Sequence, residues 1–260
     1  MAILDGKFIK GAIGNYTFKK VGETQILQGK SALNKKKMTE ASLRTASDFG
    51  VASNFASQVR LSLSQLIDKR YDGTMIYRFT SAMGYVLRQA KDPSTGNYIF
   101  SKESFSRLDG FEFNSKSLLI NSLSVTPSTS LTETNLTVQI PAIAIPKQLK
   151  FPDEATTCKL VVQLSQFDLV NGFYKDDQVE TLTIINKKGE TEPHSFSFSV
   201  QPGCLCIAGM ALQFFRDTSA YTILLNSKSF NPTYILMAEL ADGTIDPSIT
   251  TKWYPMDFKA

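Results

Sequence analysis

The sequence predicts an α+β fold: an N-terminal β-hairpin and an αα-hairpin, followed by an antiparallel β-sandwich of Ig-like or jelly-roll type. Three observations carry this expectation. Between Thr39 and Ala90, apolar residues recur at three- and four-residue steps, the signature of amphipathic helices. Before them, aromatic and β-branched residues flank a glycine-containing turn. After residue 96 the chain breaks into short β-type runs with no helical segment between them, which argues against a parallel α/β sheet. The 260 residues suffice for one large domain or two small ones. The change of texture places the expected boundary between residues 1–95 and 96–260.

The hairpin is expected within residues 7–30, with 16–21 and 24–27 as its strands and Gly22-Glu23 between them. A two-stranded hairpin is marginal in water, so it should pack on something. Residues 31–38 form a polar, basic connector. Thr39 then reads as an N-cap, with Glu40 placed where the helix dipole favours an anion. Leu43, Ala46, Phe49, Ala52, Phe55, Ala56, Val59, Leu63 and Leu66 mark the apolar stripe of one long helix, with Gly50 weakening its middle. Residues 68–73 break it. A second helix carries Met75, Ile76, Phe79, Met83, Val86, Leu87 and Ala90 on one side and stops before Asp92-Pro93. Strands are expected at 111–113, 118–125, 136–145, 159–167, 179–185, 195–200, 204–215, 221–225 and 233–240. Leu182/Ile184 and Phe196/Phe198/Val200 alternate with polar residues, as in half-buried strands.

Composition narrows the function. Hydrophobic residues make up 42% and charged residues 20%, which excludes collagen-like, disordered and coiled-coil chains. Charge is unevenly spread: residues 1–91 carry a net +9 and residues 92–260 a net −5. No window approaches the length of a membrane span, and the first residues lack the apolar core of a secretory signal. Three cysteines (Cys158, Cys204 and Cys206) do not suggest a disulfide framework, so a cytoplasmic location with reduced thiols is expected.

No catalytic constellation emerges, and no metal or cofactor site is expected. Residues 24–31, TQILQGKS, approach the phosphate-loop pattern, but Thr24 replaces its first glycine and no helix start follows. A Cys-x-Cys pair inside an apolar run lacks the spacing of structural zinc ligands. His194, the sole imidazole, follows Pro193 in a polar link, and no G-x-S-x-G elbow accompanies it. The remaining candidates are interaction residues: Lys19, Lys20, Lys30, Lys35, Lys36 and Lys37, interleaved with Phe8, Tyr16 and Phe18. Such a segment can neutralise phosphates and stack on bases, or simply keep an exposed hairpin soluble.

Residues 11–14 (GAIG) and 20–26 (KVGETQI), then 39–41 (TEA) and 49–53 (FGVAS), then 224–231 (LLNSKSFN), resemble a group of uncharacterised proteins from Bacteroidota. In that group a glycine-punctuated basic hairpin leads into a helix and a β-rich domain. The resemblance implies a bacterial host and a structural or mobile-element role. It carries over no functional residues.

The expected function is therefore non-enzymatic: an intracellular structural or assembly protein that self-associates through its N-terminal segment into a homo-oligomer or filament. Two alternatives use other features. One is a nucleic-acid-binding module built on the basic N-terminal third. The other is a ligand- or carbohydrate-binding β-sandwich with Trp253 and Tyr254 as a stacking platform.

Overall fold

The computed structural model describes residues 2–29 and 39–259. By its internal contacts the chain divides into two compact units, residues 1–45 and 46–260.

The first unit is a four-stranded antiparallel meander of β1 (Ile3–Asp5), β2 (Phe8–Ile13), β3 (Tyr16–Val21) and β4 (Thr24–Gly29), paired in sequence order. The expected hairpin corresponds to β3 and β4, and two further strands precede it. The long helix α1 (Glu40–Ser62) starts as expected at Thr39, whose hydroxyl accepts a hydrogen bond from the Ser42 N–H at 3.2 Å.

The second unit combines helices with antiparallel sheet. After α1 come α2 (Ser64–Ile67), which takes up the end of the expected long helix, and α3 (Met75–Ala90). At the α1–α3 contact both helices present small residues: a Cβ on Gly84 would lie 3.6 Å from the Ala52 Cβ. Phe55, Val59, Phe79 and Met83 are buried in the core to which both helices contribute. Leu43 and Phe49, expected on the core face, are 54% and 64% exposed, and Ile76 is also exposed. The buried residues of α1 begin only at Ala52.

A 3₁₀ turn (Ser106–Leu108) and α4 (Leu119–Ser122) lead into the strands. The run at 118–125, expected as a strand, is instead this short helix and its buried exit. Leu119 and Leu123 lie one helical turn apart and are both buried, and the Glu112 carboxylate accepts from the Leu119 N–H at 2.9 Å. Next come β5 (Ser128–Leu131), β6 (Asn135–Ile140), β7 (Ala144–Ile145), β8 (Thr157–Asp168), β9 (Phe173–Ile185), β10 (Gly189–Glu190), β11 (His194–Ser199), β12 (Leu205–Asp217), β13 (Thr222–Leu224) and β14 (Thr233–Leu240). The short helix α5 (Pro247–Thr250) and β15 (Tyr254–Pro255) finish the chain. The expected run at 136–145 is divided at Pro141, which has no N–H to donate to a ladder.

The large sheet runs β13-β12-β8-β9-β15, with β14 also paired to β12. A second sheet runs β11-β6-β5, and β10 pairs with β7. All pairings are antiparallel, as the short connections between strands favour. The near-continuous apolar run of β12 has a direct cause: both of its faces are buried. Leu205, Ile207 and Ala211 share a core with the helices, through Phe55, Leu63 and Phe79. Cys206, Ala208, Met210, Leu212 and Phe214 share a different core with Leu136, Val138, Phe196 and Phe198 of the three-stranded sheet. Strands covered on both sides lose the polar alternation of half-exposed ones. Among the described residues, no helix is long and apolar enough to cross a membrane.

Candidate interaction surface

The N-terminal sheet is built on three two-residue turns. Asp5 pairs with Phe8, Ile13 with Tyr16 and Val21 with Thr24, which leaves Gly6, Gly14 and Gly22 as the first residue of each turn. Their φ values are +59°, +53° and +59°, the left-handed region that primed hairpin turns require. These glycines recur every eight residues, a period that announces a meander. It is the signal in the sequence that identifies β1 and β2 as well as the expected hairpin.

Gln25 ties the sheet across its width. Its side-chain amide accepts from the Ile9 N–H at 2.8 Å and donates to the Ile9 carbonyl at 2.9 Å, so it substitutes for a neighbouring strand at that point. It also donates to the Lys19 carbonyl at 3.1 Å.

The sheet has almost no interior. Phe8 is its one buried large apolar residue among those described, while Ile3, Leu4, Ile13, Tyr16, Val21, Ile26 and Leu27 are all exposed. Register puts Ile13 beside Tyr16 and Phe18 beside Leu27, so these four form a continuous row on one face. Ile13, Tyr16 and Leu27 are each more than half exposed. The sequence alone draws attention to the lysines and not to this apolar row.

The predicted lysines fall into two groups. Lys19 and Lys20 are adjacent on β3 and so point to opposite faces. Lys19 Nζ donates to the Gln28 side chain at 3.0 Å. Lys20 Nζ lies 4.3 Å from the centre of the Phe8 ring and 3.5 Å from Glu23. The neighbouring Lys7 and Lys10 pair with Glu23 and Asp5 respectively. Lys30, Lys35, Lys36 and Lys37 lie outside the described residues.

Residues weighed for other chemistry are dispersed. Residues 24–29 of the phosphate-loop look-alike are the strand β4. Cys158, Cys204 and Cys206 are free and buried. Burial pushes their thiols up, that of Cys204 to about 12, so none is a thiolate near neutral pH. His194 packs edge-on to Phe196 at 4.6 Å, beside a shallow 290 Å³ depression lined by Gln139, Pro141 and Pro193. Trp253 lines a 220 Å³ pocket with Gln166, Gln178 and Gln201. The amides of Gln166 and Gln178 are already committed: both donate to the Ser199 carbonyl, at 3.0 and 2.8 Å. Tyr254 leans on Tyr174 at 5.5 Å and joins β9 through β15.

One polar cluster has no signature in the sequence. Asp72, 5% exposed, accepts from the Thr74 N–H and hydroxyl, the Ser115 N–H and Arg78 Nη2 at 2.6–2.9 Å. Burial pushes its carboxyl up, but these donors outweigh it and hold the group well below the usual carboxylate range. Arg78 also donates to the Glu112 carbonyl at 3.0 Å. Burial raises the Glu112 carboxyl to about 7, against the opposing effects of the Leu119 N–H and Arg78, and its Oε2 is buried with no hydrogen-bond partner. These residues are far apart in sequence and meet only where the α3 entry packs on the loops around residues 112–119. In comparisons with protein-family models, curated proteins and solved structures, nothing matches this chain.

Proposed function

We propose that this chain is a non-enzymatic assembly protein that self-associates through its N-terminal segment. The observation that supports this reading is the apolar row Ile13–Tyr16 and Phe18–Leu27 on a four-stranded sheet with almost no buried core. A small sheet gains independent stability only by covering an apolar face, and exposed contiguous apolar surface marks an interaction site. Charge favours a second copy as the partner: residues 1–45 carry a net +6 and residues 46–260 a net −2. A contact between unlike surfaces of successive copies is head-to-tail and yields rings or filaments. On the same reading, the two sheets that share the second core form a β-sandwich that serves as the body of each subunit.

The nucleic-acid alternative draws on the same segment, but the described lysines are engaged with Glu23, Asp5, Gln28 and Phe8, which favours the solubilising role. The deciding experiment compares the full-length chain with an I13S/Y16S/L27S variant by light scattering, with the 260/280 nm absorbance ratio recorded. The reading expects particles larger than one subunit that the variant reduces in mass, with no co-purifying nucleic acid. A wild-type monomer, or an unchanged mass in the variant, would refute it. Nucleic acid that leaves at high salt would favour the alternative.

A further inference from the structure

The large sheet has an open edge at β9. Along this strand β8 pairs with one side from Phe173 to Ile185. On the other side β15 pairs only with Phe173 and Tyr174, and the Gln178 side chain holds the Ser199 backbone. Among the described residues, no strand pairs with the outer side of 179–185. Proteins protect such edges with lysine, proline or a bulge. The segment VETLTII carries a single charge, Glu180, has neither lysine nor proline, and its ladder with β8 is regular from 179 to 185.

The side chains of this segment sort by alternation. Leu182 and Ile184 join the core shared with the three-stranded sheet. Val179, Thr181, Thr183 and Ile185 line the opposite face and are exposed, Ile185 to 68%. All four are β-branched, the residues that pack best across a pleated pair.

We infer that β9 is a second self-association site, at which residues 179–185 pair antiparallel with the same residues of a second copy, about a twofold axis at Leu182. That register is self-complementary. Val179 stands opposite Ile185, Thr181 opposite Thr183, and Glu180 opposite Ile184, so no like charges meet. The flanks are also of opposite charge: Asp176 precedes this segment within β9, and Lys187 and Lys188 follow its end at Ile185, so antiparallel pairing brings the acidic flank of each copy towards the basic flank of the other. An interface in which the same patch serves both subunits closes as a dimer. It joins the two large sheets edge to edge and fills the open hydrogen-bonding sides of both. The site is distinct from the N-terminal sheet, and its formation does not depend on that sheet's role.

The test uses the full-length chain and two charge variants, T181K/T183K and T181E/T183E. Each places like charges directly opposite across the axis, so each is expected to halve the wild-type particle mass in light scattering. An equimolar mixture brings Lys opposite Glu and is expected to restore the wild-type mass. A further variant, T181C/T183C, places two thiol pairs across the axis, and mild oxidation should give a covalent dimer of twice the chain mass in denaturing electrophoresis. Adding I13S/Y16S/L27S to it should leave that cross-link intact, which separates this site from the N-terminal one. A wild-type monomer, a mass unchanged by the lysine pair, a mixture that fails to recover, or a T181C/T183C variant that does not cross-link to itself would each overturn the inference. A different protein cross-linked to the T181C/T183C variant would assign the edge to that partner instead.

Discussion

Gly209 of β12 lies directly beneath Leu66 of α2: a Cβ on Gly209 would stand 2.7 Å from the Leu66 Cδ1 and 3.3 Å from the Leu63 Cδ2. The approach coincides with the irregular register between Ala208 and Gly209 in the β12–β14 ladder. The absence of a side chain there lets the helical layer sit on the sheet. Gly209→Ala is expected to destabilise the fold by about 1–3 kcal/mol, the usual cost of overpacking a filled core. Urea denaturation checks this. Adding Leu66→Ala should make the double variant less unstable than the sum of the two single changes, because the clash is removed.

Glu112 sets a pH dependence. Its ordinary value is 4.5, and burial raises it in the fold to about 7. A carboxyl raised by folding contributes stability that is fully present below the unfolded value and lost as pH rises through the folded one. Stability is therefore expected to decline between about pH 4.5 and 7 on account of this group. The groups around it are Arg78, which opposes the shift, and Tyr234, whose phenol is itself pushed up by burial and by Glu112. Glu112→Gln should flatten that part of the stability–pH curve, read from chemical denaturation at several pH values. An unchanged slope would show that Glu112 ionises normally.

Asp72 acts in the opposite direction. Its folded value is depressed, so its contribution is present above the ordinary value of 3.8 and is lost as pH falls through the folded value. Asp72→Asn removes the charge that Arg78 Nη2 meets at 2.6 Å and replaces one acceptor oxygen with a donor. The expected loss is about 1–3 kcal/mol at neutral pH, shrinking in acid, because the hydrogen bonds to a buried carboxylate lose their charge while the partly exposed Arg78 stays solvated. Thermal melts at pH 7 and pH 3 compare the two conditions.

Gln163, fully buried, donates to the Ser62 carbonyl at 2.7 Å and the Asp176 carbonyl at 3.0 Å. It thereby satisfies the last residue of α1 and fastens β8 to α1 and to β9. Gln163→Leu leaves those carbonyls without this donor and is expected to cost about 1–3 kcal/mol. Hydrogen exchange should show faster opening at the end of α1 than elsewhere in the helix.

The eight-residue glycine period makes a local prediction. Gly14→Val forces a β-branched residue to φ near +53° in the turn between β2 and β3. The variant is expected to lose order in residues 2–29 while the melting of the second unit stays within about 2 °C of wild type. Amide exchange resolved along the chain distinguishes the two units.

Much of the architecture is a local property of the chain, and that part is legible in the sequence. The α3 stripe from Met75 to Ala90, the N-cap at Thr39, the β11 alternation Phe196–Phe198 and the turn at Gly22 each depend on residues close in sequence. Propensity, capping and turn geometry act over that range. The failures have a shared cause. Leu43 and Phe49 continue the apolar period of α1, yet a period states which residues align and not whether anything covers them. Residues 118–125 are as apolar as a strand, but a helical turn forms where the Glu112 carboxylate receives the Leu119 N–H.

The candidate surfaces divide in the same way. The basic N-terminal segment, the glycine turns of β3–β4 and the β-branched character of 179–185 are written in the chain and need no fold to be seen. The exposure of Ile13, Tyr16 and Leu27 on a nearly coreless sheet, and the open side of β9, arise at the level of packing. Burial and strand pairing depend on contacts between residues distant in the chain, such as Val161 with Thr181 or Leu66 with Gly209. No local pattern encodes which of those contacts is made.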